Sequence, residues 1–145
     1  MTSFAKPYIT AKTEIRVRYG ETDQMGYCYY GNYAQYLEVG RVEALRELGM
    51  SYKDIEKEGV MLPVSTFSVD YKSPAYYDDL LTITTDITSL KGVRLSFNYT
   101  IHNADQKLIA TAQTTLVFVD KTTMRPTAPP DSFMTLIESL KNKKS

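Results

Sequence analysis

The stretch that decides the fold is Tyr19-Gly-Glu-Thr-Asp23-Gln-Met-Gly26-Tyr-Cys-Tyr-Tyr30-Gly-Asn32-Tyr33. A predicted strand leads into it, because Ile15, Val17 and Tyr19 alternate with arginines. An amphipathic helix is predicted to begin where it ends. The Asp23 carboxylate is therefore expected in a polar turn, close to the positive end of a helix dipole. This pairing suits attack on a carbonyl whose oxygen becomes negative.

The predicted helix after this stretch has one apolar face at helical spacing. Its members are Tyr33, Tyr36, Leu37, Gly40, Ala44 and Leu48. Asn32 is a suitable N-cap, and Gly49 suits a left-handed C-terminal cap. Gly40 lies on the apolar face, where a missing side chain would let a sheet approach closely. We also expect a short helix over Tyr52 to Glu58 and a terminal helix at about 131–141.

The segment from Val60 to Asp120 is predicted to consist mainly of strands. Alternating apolar and polar residues mark strands over Val64–Tyr71, Leu80–Ile87, Val93–His102 and Leu108–Val119. Turn residues separate the strands at Ser73-Pro74, Ser89–Gly92 and Asn103–Gln106. We predict an α+β fold in which an antiparallel sheet of five to six strands wraps around one long central helix. Residues 1–145 are expected to form one domain, with its core at about 13–120.

Composition excludes several classes of function. The 145 residues carry 17 basic and 17 acidic side chains, which argues against a general binder of nucleic acid or anionic membranes. The single cysteine, Cys28, allows no intrachain disulfide and fits a reducing cytoplasm. The first residues show no apolar run, so we expect no signal peptide. One histidine and one cysteine are not a zinc set, and no metal is expected.

A sheet that packs on one helix leaves an open edge and an uncovered face. Pairing the edges of two copies would close the open edge and cover the exposed face. We therefore predict a homodimer as the minimum unit and expect two dimers to pair into a homotetramer.

Several runs of residues carry a family resemblance. They are Arg16-Val-Arg-Tyr19-Gly-Glu-Thr-Asp23-Gln-Met-Gly26, Tyr30-Gly-Asn32-Tyr33, Tyr36-Leu-Glu38 with Arg41–Gly49, Leu62-Pro63-Val64 and Tyr71–Thr82. They resemble the hotdog-fold acyl-CoA thioesterases. The most similar branch is the 4-hydroxybenzoyl-CoA thioesterase-like group, which includes the bacterial Tol–Pal-associated thioesterases. The resemblance covers about residues 13 to 120.

The resemblance implies hydrolysis of a thioester of coenzyme A, or of an acyl carrier protein, to a free acid and a thiol. In that family the aspartate at the position of Asp23 carries catalysis, and the amide at the position of Tyr30 binds the thioester oxygen. The family's composite site suggests that Ser65 and Thr66 approach the thioester from the partner subunit. The Tol–Pal-associated branch usually has a histidine at the position of Gly31, and the 4-hydroxybenzoyl branch manages without it. No cofactor is implied beyond the coenzyme A of the substrate.

A thioester suits a carboxylate enzyme, since a thiol with a pKa near ~8.5 leaves without a strong general acid. Asp23 can attack the carbonyl to give a mixed anhydride, or it can activate a water. The amides of Tyr30 and Gly31 would hold the oxyanion. Further residues are expected to bind the substrate. Gly26 would turn the backbone toward it, Tyr27 and Tyr29 would line an acyl pocket, Asn32 would cap the helix or support the turn, and Lys91 and Arg94 would meet the phosphates of coenzyme A.

Two other classes of function stay open at this point. A non-catalytic hotdog module that binds acyl-CoA or a protein partner would share the fold, although Asp23 favours the enzyme. A hotdog dehydratase or a Ser–His–Asp hydrolase needs a histidine base. The only histidine, His102, is predicted on the polar face at a strand end, where a solvated side chain is expected. Cys28 is expected to be a buried bystander thiol.

Overall fold

The structure, a computed structural model, describes residues 7–144, with side chains for residues 7–141. The strands are β1 (Ile9–Arg16), β2 (Val60–Met61), β3 (Val64–Tyr71), β4 (Leu80–Lys91), β5 (Arg94–His102), β6 (Leu108–Val117) and β7 (Val119–Asp120). The helices are α1 (Tyr33–Leu48), α2 (Tyr52–Lys57) and α3 (Asp131–Lys144). The expectation of no signal peptide concerns mainly residues 1–6, which lie outside the described residues.

The five long strands form one antiparallel sheet in the order β1-β4-β5-β6-β3. The short strands β2 and β7 form a separate two-stranded ladder. A tight turn joins β4 to β5 at Gly92, which has a φ of +61°. In the turn between β5 and β6, the Asn103 side-chain oxygen accepts hydrogen bonds from the N–H groups of Asp105 and Lys107. The predicted antiparallel sheet is confirmed.

Helix α1 lies closest to β1 and β4 and buries the predicted apolar face against them. It ends at Gly49, whose φ of +117° confirms the predicted left-handed cap. A Cβ added to Gly40 would lie less than 3.0 Å from the Thr85 hydroxyl oxygen and at 3.0 Å from the Ile83 Cγ2 atom. The prediction that Gly40 permits a close approach of helix and sheet is therefore confirmed.

Some element boundaries differ from the prediction. Tyr19, predicted on the apolar face of the first strand, lies in a 3₁₀ turn (Tyr19–Glu21) and is 77% exposed. The Glu21 N–H donates to the Arg18 carbonyl (2.9 Å) and closes this turn, and the Arg18 N–H donates to the Glu21 carboxylate (2.9 Å). The turn predicted at Ser89–Gly92 is shorter than expected, because β4 continues through an irregularity in register between Ile87 and Ser89 as far as Lys91, and the turn begins only at Gly92.

Strand β3 lies at an edge of the sheet and is poorly covered. Phe67 and Tyr71 are opposite the buried β6 residues Thr114 and Ala110, so their side chains lie on the same face of the sheet as the core. They are nevertheless 46% and 50% exposed. Helix α1 packs on the same face but over β1 and β4 at the other edge of the sheet, which leaves this apolar strip open.

The close approach at Gly40 can be tested by substitution. Gly40→Ala should lower the free energy of unfolding by about 1–3 kcal/mol, because the new methyl group pushes α1 away from β4. Urea unfolding followed by circular dichroism measures this at a fixed protein concentration. Gly20→Ala is the matched control, since a Cβ at Gly20 meets no atom within 4 Å. Equal stability of the two variants would contradict the packing argument.

Candidate functional site

The chain between β1 and α1 folds back on itself around Asp23. The Gly26 N–H donates to the Asp23 carbonyl (3.0 Å), and Gly26 has a φ of +84°, which favours glycine. The Met25 N–H donates to the Asp23 carboxylate (2.9 Å). The Asp23 N–H donates to the Tyr27 carbonyl (2.9 Å) and closes the turn. The carboxylate of Asp23 therefore sits at the exposed tip of a small hairpin whose shape depends on glycine.

A second 3₁₀ turn, Tyr30–Asn32, leads directly into α1. Tyr30 and Gly31 supply its first N–H groups, which have no acceptor inside the helix. Asn32 was expected to cap α1 or to support the turn. Its side chain makes no capping hydrogen bond, so the capping prediction is wrong. The Asn32 side-chain N–H donates instead to the Glu21 carbonyl (2.7 Å), which supports the turn.

A pocket of about 340 Å³ lies between this segment and the end of β3. It is lined by Asp23, Tyr27, Cys28, Tyr30, Tyr33, Tyr71, Lys72, Ser73 and Pro74. The pocket brings together three residues that the sequence nominates: Asp23, Tyr27 and Tyr30. Its wall is largely tyrosine, and the Tyr71 hydroxyl donates to the Tyr30 carbonyl (3.3 Å). The end of β3 is thus joined to the turn that opens α1.

Sequence reasoning did not assign the segment from Tyr71 to Pro74 to the site. These residues follow the edge strand and reach the pocket only through the pairing of β3 with β6, where the Lys72 N–H donates to the Ile109 carbonyl (2.9 Å). The segment does lie within the runs that carry the family resemblance, and its Ser-Pro turn after a strand was the available signal. Lys72 is a cation that the single chain places at this pocket.

Tyr29 is not among the residues that line the pocket. Its ring packs against Gly31, in the turn that leads into α1. A Cβ added to Gly31 would lie 2.6 Å from the Tyr29 Cε2 atom. The Tyr29 ring therefore fills the space that a side chain at position 31 would need. Gly31 has no positive φ, so a side chain at this position would meet the half-exposed Tyr29 ring and no backbone restriction.

Four expected substrate-binding residues lie far from the pocket within one chain. Ser65 and Thr66 lie near the start of β3, and Lys91 and Arg94 flank the turn between β4 and β5. Arg94 is opposite Val117 of β6, at the end of the sheet where β3 begins. The pocket lies where β3 ends, about 20 Å further along a strand of this length. A single chain therefore does not bring these four residues to Asp23.

The two residues considered for other chemistries also lie where they were expected. Cys28 is buried, with its sulfur 3.4 Å from the Tyr36 hydroxyl, and burial raises the pKa of its thiol. His102 is half-buried at the end of β5, on the face of the sheet turned away from α1. Neither residue has the surroundings of an activated nucleophile and its base.

Glu21 is a buried carboxylate beneath the site. Burial disfavours its charged form, but hydrogen bonds from the Arg18 N–H (2.9 Å), the Tyr36 hydroxyl (2.7 Å) and the Arg18 guanidinium outweigh that cost. The pKa of Glu21 consequently lies below its ordinary value. Glu21 therefore provides a fixed negative charge that joins the end of β1 to α1.

Comparison with known proteins places the chain in a family. The sequence matches the Thioesterase-like superfamily over residues 17–137. YbgC, an acyl-CoA thioester hydrolase of Escherichia coli O6:H1, is 38% identical over 120 residues, which are 83% of this chain and 90% of that protein. The chain belongs to the thioesterase-like superfamily.

Solved structures agree with this membership. The DHNA-CoA thioesterase of Staphylococcus aureus is 34% identical and superposes with a TM-score of 0.84, over 94% of this chain and 96% of that one. Slr0204, a 1,4-dihydroxy-2-naphthoyl-CoA thioesterase from Synechocystis, is 27% identical with a TM-score of 0.81, over 91% and 98%. The expected hotdog fold of this thioesterase-like protein is confirmed.

In the part of the chain that the structure describes, no helix is both long enough and apolar enough to cross a bilayer. In the same residues, no three side chains of the His, Cys, Asp or Glu type come together as metal ligands would.

The depressed pKa of Glu21 predicts a dependence of stability on pH. The folded protein holds this carboxyl in its charged form, so the stabilisation is present at neutral pH and is lost as the pH falls through the folded-state pKa. Glu21→Gln should lower the unfolding free energy by about 1.5–3 kcal/mol at pH 7. The difference from wild type should shrink as the pH falls below about 4.5. Urea unfolding at fixed protein concentration checks this, and a difference that stays constant down to pH 3 would contradict it.

Proposed function

We propose that this protein hydrolyses acyl-CoA thioesters at the pocket that Asp23 and Tyr30 share. The observation that carries the proposal is this juxtaposition of a carboxylate and a helix start in a member of the thioesterase-like superfamily. The name of the Escherichia coli relative, an acyl-CoA thioester hydrolase, supports coenzyme A as the carrier of the acyl group. A thioester of an acyl carrier protein is the other carrier that the chemistry accepts.

In the proposed reaction Asp23 acts on the thioester carbonyl. It either attacks the carbon and forms a mixed anhydride, which water then hydrolyses, or it takes a proton from the attacking water. In both routes the carbonyl oxygen becomes negative and accepts hydrogen bonds from the amides of Tyr30 and Gly31, which have no acceptor in the helix. The thiol leaves without a strong acid, and no metal or redox cofactor takes part.

Tyrosine rings would provide most of the acyl-binding surface. Tyr27, Tyr30, Tyr33 and Tyr71 surround the space next to Asp23, and Lys72 lies with them. Gly26 shapes the turn that presents Asp23. Asn32 and Tyr29 would not touch the substrate, and they support the turn at Tyr30. We propose that the lysine ammonium contacts an anionic part of the substrate, since phosphates of coenzyme A attract such a group.

We also propose that the functional unit is a homodimer joined through β3. Because the Lys72 N–H bonds to β6 and bonding alternates along an antiparallel pair, Phe67, Val69 and Tyr71 direct their N–H and C=O groups to the open side. A second copy related by a two-fold axis can pair with these groups. The same contact would cover the exposed apolar strip of β3.

Such pairing would bring the distant residues to the site. The two β3 strands would run in opposite directions, so the start of the second copy's β3 would lie beside Tyr71 of the first. Ser65 and Thr66 of the second copy would then approach the pocket. Lys91 and Arg94 of that copy would lie at the same end of the joined sheet. Arg94 would be three strands from β3 of the first copy, or about 15 Å at ~4.8 Å per strand. That distance suits contact with the phosphate end of coenzyme A.

We propose that two dimers pair into a tetramer, which would bury further surface between sheets or between helices. The protein would work in the cytoplasm, where the single cysteine stays reduced.

Turnover of Asp23→Asn tests the catalytic assignment. The amide cannot serve as nucleophile or base, so kcat should fall by at least about 10²-fold. Release of free thiol from short, medium, long and aromatic acyl-CoAs measures this. The controls are Asp105→Asn, in the exposed turn between β5 and β6, and His102→Gln, and both should keep most activity. Near-normal turnover of Asp23→Asn would remove Asp23 from catalysis. Binding of acyl-CoA without any turnover by the wild type would favour the non-catalytic module.

Sedimentation velocity tests the dimer. Wild-type protein at micromolar concentration should show no stable monomer, whereas Phe67→Lys should dissociate because it places a charge on each side of the two-fold axis. Activity should fall with dissociation, since the site is composite. Met124→Lys is the matched control, because Met124 is 55% exposed in a loop outside the sheet. A monomeric wild type, or a dimeric Phe67→Lys variant, would overturn the proposed interface.

A further inference from the structure

The Glu21 side chain lies two residues before Asp23 and is itself outside the pocket. Glu21 is 9% exposed, and its carboxylate accepts a hydrogen bond from the Tyr36 hydroxyl (2.7 Å). Tyr36 belongs to the second turn of α1 and is 3% exposed. This hydrogen bond between two buried residues joins the segment that carries Asp23 to the helix.

The backbone of Glu21 makes a second connection. Its carbonyl oxygen accepts the Tyr29 N–H (2.7 Å) and the Asn32 side-chain N–H (2.7 Å). These two donors lie on either side of the Tyr30 and Gly31 amides. Glu21 therefore holds the turn that carries the two amides through these hydrogen bonds. It also limits where Asp23 can lie, because Asp23 follows it by only two residues.

We infer that Glu21, braced by Tyr36, is a positioning residue that sets the distance between the Asp23 carboxylate and the Tyr30 and Gly31 amides. The inference rests on the proposed function, because it assigns these two groups to one reaction. Glu21 touches no reacting atom. It acts by keeping two halves of the site in register, and a displacement of about 1 Å between such groups can reduce the rate by about 10².

The bond to Tyr36 is the part of this network that can be tested most cleanly. The Arg18 side chain is 78% exposed, so its ion pair with Glu21 is screened by solvent and contributes little. The Tyr36 hydroxyl, in contrast, is buried and has two neighbours, Glu21 and the Cys28 sulfur. Tyr36→Phe removes this hydroxyl and leaves the ring that packs against Tyr33.

Tyr99→Phe supplies a matched control. Tyr99 is 2% exposed, and its hydroxyl is bonded to Thr114 (2.6 Å) and to the Arg41 guanidinium (3.4 Å). The same chemical change is therefore made at a buried, hydrogen-bonded tyrosine on β5, away from the loop of Asp23. Loss of stability alone would affect both variants alike.

Steady-state kinetics on the best acyl-CoA substrate should separate the two variants. Tyr36→Phe and Glu21→Gln should each lower kcat by about 10- to 100-fold, with KM within about twofold of wild type because ground-state binding is retained. Tyr99→Phe should keep kcat within about twofold. Wild-type kcat in Tyr36→Phe, or an equal loss of kcat in Tyr36→Phe and Tyr99→Phe, would overturn the inference.

Amide hydrogen exchange reads the same network without turnover. In Tyr36→Phe the Tyr29 amide, which donates to the Glu21 carbonyl, should exchange at least tenfold faster than in wild type, while Tyr99→Phe leaves it unchanged. Unchanged exchange in Tyr36→Phe would overturn the inference even if no substrate is turned over. Asp23→Asn, measured in parallel, tells the two failures apart: an active Asp23→Asn defeats the catalytic assignment, whereas an inactive one beside a fully active Tyr36→Phe defeats only the positioning role.

Discussion

The close contact between α1 and β4 at Gly40 is the constraint on which the rest of the structure depends. With no side chain at this position, the helix lies directly on the Thr85 and Ile83 side chains. The approach leaves the buried Thr85 hydroxyl without a partner among the described residues, a cost that the packing must offset. The helix is thereby held over β1 and β4, and its first turn is held next to the end of β1.

That placement explains both the site and the open edge. The chain leaves β1 and must enter α1 within a short distance, so the loop that carries Asp23 folds tightly against the helix start. Helix α1 covers only the part of this face that β1 and β4 form. Strand β3, at the other edge of the five-stranded sheet, therefore stays exposed. The pocket lies between the helix start and the end of β3, which explains why a site built on one chain reaches the surface where a second chain would pair.

The sequence predicts what is local and misses what depends on long-range pairing. The order of Asp23, Gly26 and the helix start lies within a few consecutive residues, and turn and helix signals are sufficient to place it. Lys72 reaches the pocket only through the register between β3 and β6, which no local pattern encodes. For Asn32 the sequence allows two roles, because its side-chain oxygen can accept an N–H group of the first turn of α1 and its side-chain N–H can donate to a carbonyl. Only the folded loop shows that the second role, donation to the Glu21 carbonyl, is the one that forms. The Tyr29 ring on Gly31 depends in the same way on a rotamer.

The proposed thioester hydrolysis uses only one carboxylate and two backbone amides, so its rate depends strongly on the distance between them. A thioester needs one carboxylate and a pair of amides, and the chain supplies both from a single run of residues between β1 and α1. Neither half is rigid by itself, since Asp23 is exposed at a hairpin tip and the amides belong to a short 3₁₀ turn. Glu21 is the buried residue that can hold them, because it bonds to the turn that carries the amides and to Tyr36 of the helix, and it precedes Asp23 by only two residues. Under the proposed function, catalysis falls to exposed loop groups, and the buried charge of Glu21 supports them from outside the pocket.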